Sequence, residues 1–238
     1  MKKSLSIALL WSLALCPAAA LAQPVFFDDF DGSELLPHWG QPDPSRLEYN
    51  VSGGMLHVTE LLFPSVAKLE ANFAIIGARY TPQTDFRMDV WMGWENPTEP
   101  WNELRLTAVG PSGELFANFG MRHLVGEPPE IIAGVTTGFV AAPAPPPGMY
   151  QFTIARTGSQ FDFYLDGDPF GSLPDTFGIP AAGVSIFFSK PFPGEMNPYH
   201  IDRIRVIPAP GALISFAPAA LACAARGRAC ATIPGDCK

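Results

Sequence analysis

A group of tryptophans and planar polar side chains occupies the middle of the sequence. Trp91, Trp94 and Trp101 are followed closely by Asn102 and Arg105. Such side chains bind sugars, because a sugar ring has apolar faces that stack on aromatic walls and hydroxyl edges that pair with planar hydrogen-bonding groups. Trp94 lies on the apolar face of its predicted strand, so we expect it in the core. The candidate ligand-binding residues are Trp91, Trp101, Asn102 and Arg105, with simple core or loop packing as the alternative.

Carboxylates with a spacing suited to glycoside hydrolysis are sparse. Such enzymes place two carboxylates about 5–5.5 Å or ~6.5–9.5 Å apart across the scissile bond. The stretch from Phe86 to Trp94 offers only Asp89, and Arg87 beside it on the same face is more typical of a structural ion pair. A hydrolase that uses divergent carboxylates, such as Asp89 and Glu103, is the alternative hypothesis.

Other catalytic patterns are missing from the sequence. Gly-x-Ser-x-Gly does not occur, and no cysteine lies between Gln23 and Ile207. The four histidines are scattered without metal-ligand spacing, and each is more typical of a structural residue; they are His38, His57, His123 and His200. The sequence therefore predicts no catalytic residue.

Alternating apolar and polar residues predict the strands that would position these side chains. In Tyr150 to Gly167, two alternating runs meet at a turn around Gly158, which predicts a β-hairpin. Phe86 to Trp94 is another clean alternation, with Arg87, Asp89 and Trp91 on its polar face. Because no stretch has sustained helical periodicity and turn signals recur every eight to twelve residues or so, we expect an all-β fold of two packed antiparallel sheets.

The remaining segments fit this class. Further strands are predicted at 46–49, 55–59, 71–80, 103–109, 114–123, 130–140, 183–189 and 200–207. Leu62 to Lys68 is predicted as a loop because Pro64 interrupts it. The proline-rich run from Ala141 to Gly148 is interpreted as a polyproline connection between neighbouring strands.

Three segments together resemble a known superfamily. They are the opening Phe-Asp-Asp-Phe-Asp-Gly from Phe27 to Gly32 with Trp39 after it, the hairpin ending in Tyr-Leu-Asp-Gly at Gly167, and the closing strand from Ile201 to Val206. This pattern resembles the concanavalin A-like lectin/glucanase superfamily, including its laminin-G-like members. The resemblance implies a jelly-roll sandwich, an architecture that serves lectins, glycosidases and adhesion modules alike. The Glu-x-Asp-x-x-Glu run that its glucanases carry is absent here.

The resemblance also suggests a structural metal site. Asp202 is expected to share a strand face with Ile204 and Val206, and a carboxylate on an apolar face must be paired or must ligate a cation. If the first and last strands are neighbours, as in the superfamily, Asp29 and Asp202 could bind a structural calcium ion. The alternative is hydrogen bonding or an ion pair of Asp202 with Arg203 or Arg205.

The two ends of the chain read as targeting segments. Residues 1–22 have the basic start, apolar run and Ala-Leu-Ala site of a secretory signal peptide. Residues 208–238 resemble a degenerate PEP-CTERM bacterial sorting tail, with a Pro-Ala-rich tail of no such role as the alternative. Residues 23–207 then form one exported domain, and only the tail would contact a membrane. After removal of the signal peptide, the three cysteines, Cys223, Cys230 and Cys237, all lie in the tail.

The charge of the predicted domain limits its partners. Between Gln23 and Ile207 there are ten Lys and Arg against twenty-two Asp and Glu, a net charge of −12. Nucleic acid is therefore excluded as a partner, because phosphate binding requires the opposite sign. We expect a periplasmic, cell-surface or extracellular protein that binds carbohydrate or another surface polymer without catalysis. The alternatives are a polysaccharide hydrolase and a structural envelope or matrix protein.

Overall fold

The computed structural model describes residues 26–40, 47–61, 65–72, 85–95, 102–113, 115–124, 126–190 and 198–208. These residues form fourteen antiparallel strands in two sheets. In chain order the strands are β1 Phe26–Asp28, β2 Leu47–Ser52, β3 Met55–Leu61, β4 Ser65–Asn72, β5 Phe86–Trp94, β6 Asn102–Val109, β7 Leu115–His123, β8 Glu130–Val135, β9 Gly138–Pro143, β10 Gly148–Thr157, β11 Gln160–Leu165, β12 Asp168–Pro174, β13 Gly183–Lys190 and β14 Tyr199–Pro208.

The two sheets form a sandwich. The eight-stranded sheet has the order β12-β11-β10-β5-β14-β3-β2, with β1 also paired to β14, and the six-stranded sheet has the order β4-β13-β6-β7-β8-β9. Apolar side chains from both sheets form one buried core. The predicted all-β, two-sheet antiparallel class is confirmed, and so is the pairing of the first and last strands.

The alternation predicted for β5 determines which side chains face outward. Its even-numbered residues, from Phe86 to Trp94, are buried in the core, which confirms the prediction for Trp94. Arg87, Asp89 and Trp91 therefore project from the opposite face, because successive side chains of a strand point to opposite sides.

The predicted hairpin is formed by β10 and β11. Phe152, Ile154, Phe161 and Phe163 are fully buried on its inner face, as expected. Gly158 has a φ of 60° in the connecting turn, a conformation that glycine adopts without steric cost. The hairpin continues the eight-stranded sheet, since β10 pairs with β5 on its other side.

Three sequence predictions about strands and connections were wrong. Ser65 to Lys68 belongs to β4 and not to a loop, because β4 pairs along its length with β13 despite the preceding Pro64. The strand predicted over 130–140 is divided into β8 and β9 by a turn at Thr136 and Thr137. The proline-rich run does not join neighbouring strands, since β9 and β10 belong to different sheets.

An irregularity in β14 changes the position of Asp202. The pairing register with β5 shifts between Ile201 and Arg203. Ile201, Ile204 and Val206 are buried, whereas Asp202 is only partly buried. The expectation that Asp202 shares a face with Ile204 and Val206 was wrong, because the extra residue in the strand breaks the alternation.

The predicted targeting segments lie outside the described residues. This applies to the signal peptide at 1–22 and to the tail from 209 onward, including the three tail cysteines. Within the described ranges, no helix is long and apolar enough to cross a membrane.

Candidate ligand-binding surface

The outward face of β5 and β14 brings an aromatic residue and several guanidinium groups together. The two strands are neighbours, and their register places Arg203 opposite Trp91 and Arg205 opposite Asp89. Arg87 completes the group on β5. We call these five residues, together with Gln151 and Thr153 of the adjacent β10, the tryptophan–arginine surface.

Asp89 is the anchor of this surface and is fully buried. Its carboxylate accepts hydrogen bonds from Arg87 Nε at 2.9 Å and Arg205 Nε at 2.8 Å. It also accepts from Thr153 Oγ1 at 2.6 Å and from Gln151 Nε2 at 3.0 Å. A buried carboxylate must be paired and hydrogen-bonded to be tolerated. Asp89 therefore has a structural role, fixing the two guanidinium groups in place.

Trp91 lies against two guanidinium groups. The Arg203 Cζ atom is 4.9 Å from the centroid of the indole ring, and the Arg205 Cζ atom is 5.4 Å from it. These distances are within the range of cation–π attraction. The arginines still reach solvent, since the side chains of Arg203 and Arg205 are 47% and 40% exposed. The surface therefore presents an indole ring with two partly exposed guanidinium groups over it.

A shallow cavity of about 350 Å³ adjoins this surface at the end of β5. It is lined by Trp94, Glu95, Pro147, Gly148, Met149 and His200. Gly93 separates Trp91 from this cavity along β5 and leaves no room for a side chain, because a Cβ atom there would lie 2.2 Å from the Gly148 carbonyl oxygen. The cavity and the tryptophan–arginine surface are thus neighbouring parts of one outer face.

A chain of hydrogen bonds supports the wall of the cavity. The Nδ1 atoms of His57 and His200 are 2.9 Å apart, and the His200 Nε2 atom is 3.0 Å from Glu95 Oε1. His57 Nε2 is 3.1 Å from the carbonyl oxygen of Ser52. Since a carbonyl and a carboxylate only accept, both Nε2 atoms donate, and the Nδ1 contact is a hydrogen bond when one ring is doubly protonated. The chain joins the β2–β3 hairpin to β14 and to the end of β5.

The structure does not bring the four predicted ligand-binding residues into one site. Trp91 faces outward on the eight-stranded sheet, whereas Arg105 belongs to β6 of the six-stranded sheet and faces away from the core there. Asn102 also lies on β6, and Trp101 is outside the described residues. Ligand binding by each of them stays a prediction, but Trp91 and Arg105 cannot contact the same small sugar.

The carboxylates proposed for a hydrolase are also separated. Asp89 is in the eight-stranded sheet and points away from the core, while Glu103 is on β6 in the other sheet. The two residues of the alternative hydrolase hypothesis therefore belong to strands of different sheets, and catalysis by this pair stays a prediction.

One of the two predicted calcium ligands, Asp202, has an arginine partner. Asp202 is paired with Arg203, whose Nε and Nη2 atoms both lie 3.1 Å from its carboxylate, which was the alternative prediction. Among the residues described, no group of three or more His, Cys, Asp or Glu side chains could hold a metal ion. Calcium binding by Asp29 and Asp202 stays a prediction, which a fall in melting temperature on adding EDTA would support.

The buried acidic residue near the N-terminus is Asp28, which sequence analysis did not single out. Its carboxylate accepts hydrogen bonds from Trp39 Nε1 at 2.6 Å and from the Phe30 backbone N–H at 2.8 Å, and His38 Nε2 lies 3.2 Å away. Burial by itself raises the pKa of Asp28, but the contacts with His38, Trp39 and Phe30 outweigh it and lower the pKa below the ordinary value of 3.8. Asp28 thus fixes the segment after β1.

Sequence analysis also missed Arg203 and Arg205 as parts of a ligand surface. They were considered only as ion-pair partners of Asp202. Their spacing, two residues apart on one strand, indicated a shared face. The sequence does not reveal that β14 lies beside β5, because the order of strands in a sheet is not encoded by alternation.

Comparisons with known proteins show the fold. No protein-family model matches the chain, and no curated protein does either. Among solved structures, the CBM2 module of the evolved Dit protein of Lactobacillus casei BL23 phage J-1 is similar, with a TM-score of 0.60 and 10% identity over 78% of this chain and 95% of that one.

Two glucanase-related structures are similar as well. An immunostimulatory antigen and pseudo-β-1,3-glucanase of Mycobacterium tuberculosis has a TM-score of 0.54 and 13% identity, covering 78% of this chain and 99% of that one. The endo-β-1,3-glucanase from Pyrococcus furiosus has a TM-score of 0.52 and 12% identity, covering 78% and 94%. The protein has a concanavalin A-like jelly-roll fold, as the sequence resemblance implied. At these identities the likeness concerns the fold alone.

Proposed function

We propose that this protein is an exported, non-catalytic β-sandwich that binds carbohydrate or another cell-surface polymer through the tryptophan–arginine surface. The observation that carries the proposal is the outward-facing indole of Trp91, contacted by the guanidinium groups of Arg203 and Arg205. An indole ring and the planar donors that lie over it offer apolar contact and hydrogen bonds to the faces and hydroxyls of a sugar.

The similar structures support carbohydrate as the ligand class. One is a CBM2 module, one is a pseudo-β-1,3-glucanase and one is an endo-β-1,3-glucanase. Their shared architecture makes a polysaccharide a reasonable partner, although fold by itself does not determine function.

The geometry of the carboxylates favours binding over catalysis. Asp89 accepts hydrogen bonds from four side chains, two of them arginines, so it is poorly suited to donate a proton or attack a sugar. Glu103, the other carboxylate of the alternative, belongs to a strand of the other sheet. A hydrolase would therefore need a carboxylate other than Asp89 as its acid or nucleophile.

A glycan array probed with the purified full-length protein tests this proposal. We expect binding to at least one polysaccharide and no release of reducing sugar from a polysaccharide panel. Release of reducing sugar would show that the hydrolase alternative is correct. Failure to bind any glycan would instead favour the structural envelope protein.

A further inference from the structure

Two of the three arginines of the tryptophan–arginine surface, Arg87 and Arg205, are held in a way that leaves donors available. Arg205 is bound to Asp89 through Nε, and neither of its terminal nitrogens has a hydrogen-bond partner among the described residues. Arg87 also uses Nε toward Asp89, with one long contact of 3.5 Å from Nη2 to Thr153. A guanidinium held through Nε keeps its Nη edge for a ligand, and that edge matches the two oxygens of a carboxylate.

The charge balance of the two central strands is positive. The described outer faces of β5 and β14 carry the guanidinium groups of Arg87, Arg203 and Arg205 against the carboxylates of Asp89 and Asp202. The chain as a whole has a formal net charge of −8. A positive patch attracts an anionic ligand locally even though the whole protein is acidic. The surrounding negative charge orients the ligand toward the patch.

The neighbouring acidic residues of β11 and its turn have donors of their own. Asp162 accepts hydrogen bonds from Gln160 and Ser172, both at 2.6 Å. Asp166 accepts one from the backbone N–H of Gln151 at 2.6 Å. Both lie on the far side of β10 from β14, so they do not pair with Arg203 or Arg205.

We propose that the tryptophan–arginine surface binds an acidic polysaccharide whose sugars carry carboxylates, that is, a polyuronate. This inference rests on the proposed function and specifies its ligand class. The carboxylates pair with the Nη edges of Arg87 and Arg205 and compete with the partly exposed Asp202 for Arg203, and a sugar ring packs beside Trp91. Because Asp89 already orders two of the arginines, less side-chain freedom is lost when the ligand binds.

Calorimetric titration of the full-length protein with polygalacturonate, a neutral β-glucan and dextran sulfate tests the ligand class. We expect polygalacturonate to bind most tightly and its affinity to fall when salt is raised, because the contacts are ionic and partly exposed. Equal affinity for the neutral glucan would overturn the inference but leave the proposed function intact. Preference for dextran sulfate would also overturn the inference. If the protein binds none of the three polymers and no glycan of the array, the proposed function itself is contradicted.

Variants of Arg203 test the site. Arg203→Gln removes a guanidinium that is hydrogen-bonded to the partly exposed Asp202 and lies over Trp91, and we expect about a tenfold loss of affinity for polygalacturonate. Lys68→Gln removes the same charge from β4 of the other sheet and is the matched control, with unchanged affinity expected. Equal losses in both variants would show a non-specific charge effect and overturn the site.

Asp202→Asn gives a second test with the opposite sign. It weakens the ion pair that occupies Nε and Nη2 of Arg203, so we expect tighter binding of polygalacturonate. This variant stays informative if Arg203→Gln does not fold. Weaker binding by Asp202→Asn would contradict a role for Arg203 as a carboxylate-binding residue.

Discussion

Two buried carboxylates illustrate how the surroundings of one residue type determine its role. Asp89 projects from the outer face of a sheet and is paired with the arginines of β5 and β14. Asp28 is buried beside Trp39 and accepts hydrogen bonds from neutral donors. The first organises a surface, and the second stabilises the fold.

Replacing Asp28 with Asn should destabilise the protein by about 1–3 kcal/mol at neutral pH, because buried donors lose a charged acceptor. Since the pKa of Asp28 is lowered in the folded state, its contribution is present above the ordinary value of 3.8 and is lost as pH falls through the lower folded value. The difference in unfolding free energy between wild type and Asp28→Asn should therefore shrink below about pH 4. Urea unfolding at several pH values measures it.

Asp29→Asn is the control for this experiment. Asp29 neighbours Asp28 in sequence but is only partly buried. With EDTA present, so that the predicted calcium site is empty, we expect Asp29→Asn to change the unfolding free energy little, as is usual for less buried positions. An equal effect of both substitutions would contradict the specific role assigned to Asp28.

At the scale of the strand, alternation in the sequence predicted which strand faces are buried. Strand boundaries that depend on pairing with a neighbouring strand were missed. The inner face of β5 and the β10–β11 hairpin could be predicted because buried and exposed residues alternate cleanly in both. The turn between β8 and β9 was missed because Thr136 and Thr137 carry no turn signal, and both are typical strand residues. Ser65 to Lys68 was misassigned because Pro64 suggested a loop.

A close approach of strands at Gly120 provides a test of the sheet geometry. A Cβ atom at Gly120 of β7 would lie 1.9 Å from the Leu104 carbonyl oxygen of β6, so no larger residue fits without a backbone shift. We expect Gly120→Ala to destabilise the protein by about 1–3 kcal/mol, the usual cost of overpacking. Thermal unfolding monitored by circular dichroism measures it.

Gly138→Ala is the matched control for the close approach. Gly138 also lies in a strand of the six-stranded sheet, but a Cβ atom there meets nothing nearer than a Leu173 methyl at 4.0 Å. Its melting temperature should stay near that of the wild type. A fall as large as that of Gly120→Ala would contradict strand spacing as the cause of the effect at Gly120.

At the scale of the whole molecule, the sandwich separates residues that are close in sequence. Trp91 and Arg105 are fourteen positions apart, yet the chain passes from one sheet to the other between β5 and β6. The reverse holds for Trp91 and Arg203, which are distant in sequence and adjacent in space. Strand alternation indicates which residues face outward, but it does not indicate which sheet they belong to. Half of the predicted site therefore lies on the other side of the molecule.

We propose that ligand binding uses the outer face of the eight-stranded sheet. The most direct test is the affinity of full-length Trp91→Ala for the best ligand of the glycan array, compared with Phe139→Ala. Phe139 is 64% exposed on β9 of the six-stranded sheet, which makes it a matched aromatic control. We expect Trp91→Ala to lose about 1–3 kcal/mol of binding free energy, as for removal of an aromatic contact, and Phe139→Ala to bind like the wild type. Unchanged binding by Trp91→Ala together with weaker binding by Phe139→Ala would contradict this account and place the ligand on the other sheet.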